Sequence, residues 1–266
     1  MTGDHPDPPQ DQIDRVRAMI DEAEAVAVLT GAGISTDSGI PDYRGPKGVW
    51  TRNPKAEKLS NIRYYLSDPD VRRLAWRTRV DSPVWTSEPN DGHRALVRLE
   101  RRAKLHTLVT QNVDGLHQAA GTSPDKVVEV HGTMHGVICW DCSWEGPMPE
   151  TLERVRLGED DPPCRECGGI LKSKTISFGQ NLVVDDLERA ERAAQECDLL
   201  LTVGSTLAVA PVNGMVPVAK RSGARIVILN GSPTEMDLLA DEVVIGSISA
   251  VLPRLVTPLG KSRPTE

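Results

Sequence analysis

The chain has 266 residues and a formal net charge of −7, with 31 Lys and Arg against 38 Asp and Glu. Its length suits one large domain or a domain carrying a smaller insert. The acidic balance argues against a nonspecific nucleic-acid binder, which needs a basic surface, and no apolar run is long enough to span a bilayer.

The acidic, Pro-rich start MTGDHPDPPQDQ lacks the basic start and apolar core of a secretory signal. It reads as a frayed tail over residues 1–10 of a cytoplasmic protein. Ile13, Val16, Ile20 and Ala23 recur at helical spacing and predict an amphipathic helix over residues 11–24. The apolar run Val26–Leu29 then ends in Thr30 and Gly31-Ala32-Gly33. A strand feeding a Gly-x-Gly turn is how α/β folds bring backbone N–H groups against a pyrophosphate. The third glycine of the usual fingerprint would fall at Thr36, so these residues fit an ordinary strand-to-helix turn equally well.

Residues 45–90 carry Gly, Pro and Asn breaks, many charges and scattered aromatics (Trp50, Tyr64, Tyr65, Trp76, Trp85). They read as a helical excursion or lid, with Val71, Leu74 and Ala75 pointing to a helix. Asp91 is placed as the cap of a helix running to about Ala103, with Leu96 and Leu99 inward.

A core pattern then recurs. His106–Thr110 leads into Gln111-Asn112-Val113-Asp114, Lys126–Val130 into His131-Gly132, and Leu199–Val203 into Gly204-Ser205-Thr206. Arg225–Leu229 leads into Asn230-Gly231-Ser232, and Glu242–Ile245 into Gly246-Ser247. With Val26–Leu29 these runs predict an α/β fold: a parallel sheet with helices on both faces. Ligands of such sheets bind beyond the carboxyl ends of the strands, where the polar residues and glycines collect. One polar strand end says nothing, since loops are polar anyway; the concerted set predicts a site.

Between Gly136 and Leu171 the periodicity stops. Two C-x-x-C pairs, Cys139 with Cys142 and Cys164 with Cys167, supply four thiolates for a tetrahedral zinc ion, and Gly168-Gly169 a tight turn. With every position a cysteine, the zinc is expected to be structural. Asp141, Glu145, Glu150, Glu159, Asp160 and Asp161 argue against a nucleic-acid-binding ribbon. Cys197, placed with Leu187, Ala190 and Ala194 on one helix face, reads as a buried inert thiol.

GAGISTDSGIPDYRG, TQNVDGLH, the His-Gly at 131–132, the two C-x-x-C pairs, FGQNL at 178–182, GSTL at 204–207 and Asn230 come in the order seen in sirtuins, the NAD-dependent protein deacylases. The resemblance covers roughly residues 12–256 and includes WTSEPNDGHRAL; the segment Trp76–Trp85 is most similar to the class II branch. It implies a Rossmann-like domain of residues 11–44, 91–138 and 172–257. A small domain would comprise the helical insertion 45–90 and the zinc ribbon 139–171, with a tail at 258–266. NAD and an acyl-lysine protein or peptide would meet in the cleft between the domains.

The resemblance also implies roles. Gly31, Ala32 and Gly33 would hold the pyrophosphate through their backbone, with Gly204 and Ser205 closing over phosphates and adenosine. Asn230 would read ribose hydroxyls where an acidic residue is usual, and Ile248 would pack near the adenine. Thr206, Gly231 and Ser232 would line the same edge. Gln111, Asn112 and Asp114 would surround the nicotinamide and its ribose, with Asp42, Tyr43 and Arg44 on the flexible cofactor loop. His131 would be the general base, taking a ribose proton after the acyl oxygen has displaced nicotinamide; imidazole titrates in the range that step needs. Asn112 would bond the ribose or position water. His117 would orient its loop, while His5, His93, His106 and His135 read as surface or packed residues. The peptide would add as a strand beside Phe178-Gly179 and Leu207–Pro211.

The chain departs from the family at Tyr43, usually Phe, at Lys172-Ser173, usually Arg-Pro, and at Gln180, usually Glu. Residues 70–88 hold no Tyr-x-x-Arg, the pair that marks succinyl- and malonyl-specific members, so neutral acyl groups are expected; Arg77 or Arg79 could substitute. Rival readings are ADP-ribosyl transfer from NAD to protein, a non-catalytic NAD or acyl-lysine binding module, and, without the resemblance, a plain NAD dehydrogenase.

Overall fold

A computed structural model describes residues 7–45, 48–52 and 58–259. Residues 1–6 and 260–266, which make up most of the expected tails and include His5, lie outside the described residues, as do 46–47 and 53–57 of the insertion. In chain order the elements are α1 (Gln10–Glu22), β1 (Val26–Thr30), a 3-10 helix (Ala32–Ser38), α2 (Val49–Arg52), α3 (Ile62–Ser67), α4 (Pro69–Val80) and α5 (Asp91–Arg101). There follow β2 (Leu105–Thr110), α6 (Leu116–Ala120), β3 (Val127–Glu129), β4 (Gly132–Cys139), β5 (Glu145–Pro147), α7 (Met148–Arg156) and β6 (Leu171–Thr175). The chain ends with α8 (Val184–Glu196), β7 (Leu199–Val203), α9 (Met215–Arg221), β8 (Arg225–Asn230), β9 (Glu242–Ile245) and α10 (Ile248–Leu255).

All six predicted strands form, and they pair in parallel in the order β3-β2-β1-β7-β8-β9. Because side chains alternate along a strand, each strand feeds two cores. Val26 and Val28 meet α1, α5 and α10 through Ile13, Val16, Leu96, Leu99 and Leu252. Ala27 and Leu29 meet α8 and α9 through Ala190, Ala194, Val216 and Ala219. The chain winds outward from β1 through β2 and β3, returns, and winds outward the other way from β7. The reversal leaves a crevice between the carboxyl ends of β1 and β7, which is where doubly wound sheets bind ligands.

Three boundaries differ from expectation. Gln10 opens α1 and Pro8 is buried, so the last part of the expected tail packs on the fold. Asn90, not Asp91, caps α5: its extended backbone lets Oδ1 accept the Gly92 N–H at 2.9 Å, and the helix ends at Arg101. Cys197 is not on the α8 face but caps its end with extended geometry. It is nonetheless buried beside Ala190 and Ala194, and burial pushes its thiol up to about 11.

The segment 136–171, read as lacking periodicity, is structured. β5, β4 and β6 form an antiparallel sheet in that order, and α7 packs Met148, Leu152 and Val155 against it. Trp76 of α4 is buried in the same cluster, with Val137, Cys139, Cys164 and Leu171. Tyr65 Oη donates to the Leu171 carbonyl at 2.7 Å, and Arg72 pairs with Asp161 at 2.8 Å. The helical insertion and the cysteine segment therefore share one core, while Leu74 faces solvent. No described helix is long and apolar enough to cross a membrane.

Candidate active site

At the crevice, strand ends meet backbone to backbone. The Gly31 N–H donates to the Val203 carbonyl at 3.0 Å, and the Gly33 N–H to the Gly204 carbonyl at 2.8 Å. A Cβ on Gly31 would lie 2.8 Å from the Gly204 oxygen, and one on Gly33 2.8 Å from the Gly204 Cα. The glycines thus serve a close approach between β1 and β7. In this structure both amides are engaged by backbone carbonyls at the end of β7. Ala32 between them opens the 3-10 helix, whose first N–H groups have no intrahelical partner. Thr36 lies inside that helix, exposed, with Oγ1 donating to the Gly33 carbonyl.

From this seam a hydrogen-bonded group spreads over the ends of β2 and β3. Ser205 Oγ accepts from Gln111 Nε2 at 2.9 Å and from the Leu207 N–H at 3.1 Å. The Gln111 carbonyl lies 2.9 Å from His131 Nδ1. A carbonyl only accepts, so Nδ1 carries the proton and Nε2 keeps a lone pair. Burial, the largest influence, lowers the His131 pKa; the bond to Gln111 opposes this and Arg44 adds to it. An imidazole neutral at pH 7 with a bare Nε2 is a competent base. Asn112 Nδ2 donates to the Gly31 carbonyl at 3.1 Å and to Ser35 Oγ at 3.2 Å. Asp114 accepts Ser35 Oγ–H at 2.8 Å and the Leu116 N–H at 2.9 Å, the first partner carried by the 3-10 helix and the second by the start of α6.

The cofactor loop reaches the site through aromatic contacts. The Val49 and Trp50 N–H groups bond to the carbonyls of Asp42 and Tyr43, folding the loop on itself, and Asp42 Oδ1 accepts the Gly45 N–H. The Tyr43 and Trp50 ring centroids are 4.7 Å apart, Trp50 and Phe178 5.3 Å, and Arg44 lies 4.8 Å over the Trp50 ring. Further along the edge, Asn230 Nδ2 donates to the Ser232 carbonyl at 2.8 Å, bracketing Gly231. Thr206 and Ser232 are exposed. Ile248 is a core residue pressed against the Cα side of Gly204 and Gly92.

Sequence reasoning left His93 and His135 as bland residues and gave His117 only a loop-orienting part. His135 touches Asp114, His93 reaches it through Ser35, and His117 stands beside His93. His135 Nε2 lies 2.9 Å from the Asp114 carbonyl and therefore donates to it, with the Trp85 ring edge-on at 5.6 Å. His117 Nε2 is 2.9 Å from Thr30 Oγ1, and His93 lies against Ser35. The spacing of the Asn90-x-x-His93 capping box was the available signal for His93. Burial pushes His93 down to about 4 and His117 well below its usual value. Below pH 6.5 these imidazoles take up protons when unfolded but not when folded, so acid favours the unfolded chain. Stability should fall as pH drops from 6.5 towards 4, by up to about 1.4 kcal/mol per pH unit for each group. Urea unfolding at pH 7 and pH 5 measures this; equal midpoints would mean that the imidazoles are not held neutral.

The four cysteine Sγ atoms lie within 4.8 Å of one another, with Cys139 to Cys167 at 3.5 Å and Cys142 to Cys164 at 3.8 Å. The edge of a zinc tetrathiolate tetrahedron is about 3.8 Å, given Zn–S bonds of about 2.3 Å, so the donor set fits zinc. Gly168 supplies the left-handed turn after the last ligand, at φ +75°. His131 precedes β4 and Cys139 ends it, which at strand rise puts the metal position up to about 26 Å from His131. The cysteines are thus the predicted residues that lie away from the crevice.

The strand order, the crevice at the reversal and the fused four-cysteine module define a Rossmann-like protein with a metal-ribbon insert, with His131 beyond the carboxyl end of β3. The chain belongs to the Sir2 family, whose model matches residues 31–211. The NAD-dependent protein deacetylase 2 of Streptomyces coelicolor is 50% identical over 235 residues, covering 88% of this chain and 98% of that protein. The NAD-dependent protein deacetylase 1 of Pyrobaculum aerophilum is 38% identical over 252 residues, covering 94% and 95%. A solved Sir2 enzyme structure superposes with a TM-score of 0.85 at 34% identity, covering 93% of this chain and 97% of its own. A Sir2 complex with a p53 peptide and NAD+ gives 0.83 at 29% identity, covering 91% and 96%.

Proposed function

We propose that the protein is an NAD-dependent protein-lysine deacylase that releases nicotinamide and 2′-O-acyl-ADP-ribose, acting on acetyl and longer neutral acyl groups. The observation that carries this reading is the His131 Nδ1–H bond to the Gln111 carbonyl, which leaves Nε2 as a base held against the residue that precedes Asn112. NAD supplies the scissile nicotinamide bond and the accepting ribose. Asn112 and Asp114 hold the nicotinamide side, the Ala32 amide and Ser205 the phosphates, Asn230 to Ser232 and Ile248 the adenosine end. His131 Nε2 takes the ribose hydroxyl proton. Zinc would be held by the four cysteines and would shape the small module without taking part in the reaction. We take the division into residues 11–44, 91–138 and 172–257 against 45–90 and 139–171 as the functional one, and a reducing cytoplasm as the setting that suits the thiolates.

An acyl-lysine peptide would enter as an added strand. Phe178 has its N–H and carbonyl paired with Ser60 and Ile62, and Leu207 has both groups taken by Ser205 and Asn213. The pairing therefore falls to Gly179 and Ala208, both exposed, rather than to Phe178 and Leu207.

Neutral acyl groups are favoured because the nearby cations are engaged. Arg79 Nη2 donates to Ser173 Oγ at 2.9 Å, and its guanidinium lies over the Trp76 and Tyr65 rings at 5.4 and 5.8 Å. Arg77 pairs with Asp160 at 3.2 Å on the surface. An unpaired buried carboxylate costs several kcal/mol, so acetyl and butyryl peptides should turn over at least about 10-fold faster than the succinyl peptide. Incubation with NAD and this panel, with products identified by mass, is the test. Faster desuccinylation would defeat the acyl preference. ADP-ribose attached to protein would favour the transferase reading, and no nicotinamide release with any peptide would favour a binding module.

A further inference from the structure

His93 is fully buried against the 3-10 helix Ala32–Ser38, its ring centroid 5.0 Å from that of His117. Its Nδ1 accepts the Asn90 N–H at 3.3 Å, closing the α5 capping box. A ring nitrogen that accepts carries no proton, so the proton of the neutral imidazole sits on Nε2. Nε2 faces Ser35 Oγ at 3.4 Å, a long contact whose direction is thereby fixed, from His93 to Ser35. Ser35 Oγ also receives Asn112 Nδ2–H at 3.2 Å. With two donors on its oxygen, the hydroxyl can only point its own proton at Asp114 Oδ2, 2.8 Å away. The direction runs from the Asn90 amide through His93 and Ser35 to the Asp114 carboxylate.

We infer that His93 is a positioning residue for the reaction: by orienting the Ser35 hydroxyl it holds the Asp114 carboxylate and the Asn112 amide in one arrangement towards the nicotinamide. The inference rests on the NAD-dependent reading proposed above. Without the donor from His93, Ser35 loses one of the contacts that hold its side chain, and its hydroxyl is free to swing away from Asp114. Asp114 then loses a donor while buried, a penalty buried acceptors carry in full. Asn112 Nδ2 stays on the Gly31 carbonyl but loses a fixed second acceptor at Ser35.

Two substitutions separate this role from packing. In His93→Asn the short side chain places an oxygen near the Nδ1 position, keeping the cap, but does not reach Ser35. In His93→Gln the longer side chain presents an N–H towards Ser35 and gives up the cap. Turnover with NAD and an acetyl-lysine peptide, nicotinamide inhibition and the thermal midpoint are measured for each. His93→Asn should melt within about 3 °C of the unaltered protein, yet release nicotinamide about 10-fold more slowly and need about 10-fold more nicotinamide for inhibition. His93→Gln should melt lower and turn over faster than His93→Asn. Turnover that simply follows the melting order overturns the inference. Should neither variant fold, Ser35→Ala leaves the cap intact and must show the same losses; full activity there overturns it equally. If the unaltered protein releases no nicotinamide, the deacylase reading fails separately, and NAD and nicotinamide affinities by calorimetry in the same variants still decide the role of His93.

Discussion

Replacing His131 with alanine should lower deacylation by about a hundred- to ten-thousand-fold, the usual worth of a positioned general base, with NAD affinity nearly unchanged. Among the described residues the ring's hydrogen bond is the one from Nδ1 to the Gln111 carbonyl. Its main-chain carbonyl, which accepts the Ile176 N–H at 2.7 Å, survives the substitution and keeps β6 in place. The thermal midpoint should therefore move little. Because burial lowers its pKa below the usual 6.5, the acid limb of kcat/KM should have its midpoint below pH 6.5 and vanish with the imidazole. Both outcomes are read from initial rates across pH 5 to 8 with an acetyl-lysine peptide. Full turnover in the alanine variant, or an acid midpoint above 6.5 in the parent, would remove His131 from the role of base.

Stripping the metal should be as damaging by a different route. Cys164→Ser, or prolonged chelation, is expected to lower the thermal midpoint by more than about 10 °C and to abolish turnover. A structural zinc site contributes folding free energy outright. Cys139 and Cys164 are buried in the cluster that holds Trp76, Met148 and Leu171. When the thiolates separate, that cluster loses its floor, and Leu171 begins the strand that ends beside His131. Turnover should thus depend on a metal up to about 26 Å away. Metal content by atomic absorption should be one zinc per chain and should fall together with activity; an active zinc-free protein would show that the module stands without it.

The sheet was legible because its strands are continuous apolar runs, buried on both faces, and each stops at a small or polar residue. Their strand order was not, since periodicity says nothing about which neighbour a strand chooses. The strands of the small module were not legible because β4 carries two glycines and a histidine, and β6 reads Leu-Lys-Ser-Lys-Thr with Lys172 and Ser173 fully buried. A buried lysine whose Nζ donates to the Ser173 and Thr175 carbonyls leaves no mark in a hydropathy pattern. α7 did leave one, Met148, Thr151, Leu152 and Val155 at helical spacing, masked by its charges. At the site, residue types told where chemistry sits. They did not tell which amide was free: Gly31 and Gly33 serve strand contact, and only the backbone geometry shows it. Nor did they show Asn90 rather than Asp91 at the helix start, the feature from which the His93 tautomer follows.

The seam of rings between the cofactor loop and the acceptor edge has a practical side. Phe178 is the sole phenylalanine of the chain, and it stands 5.3 Å from Trp50. Fluorine placed on that ring would give one NMR resonance with no competitors, so a single line would report when either substrate arrives and in which order.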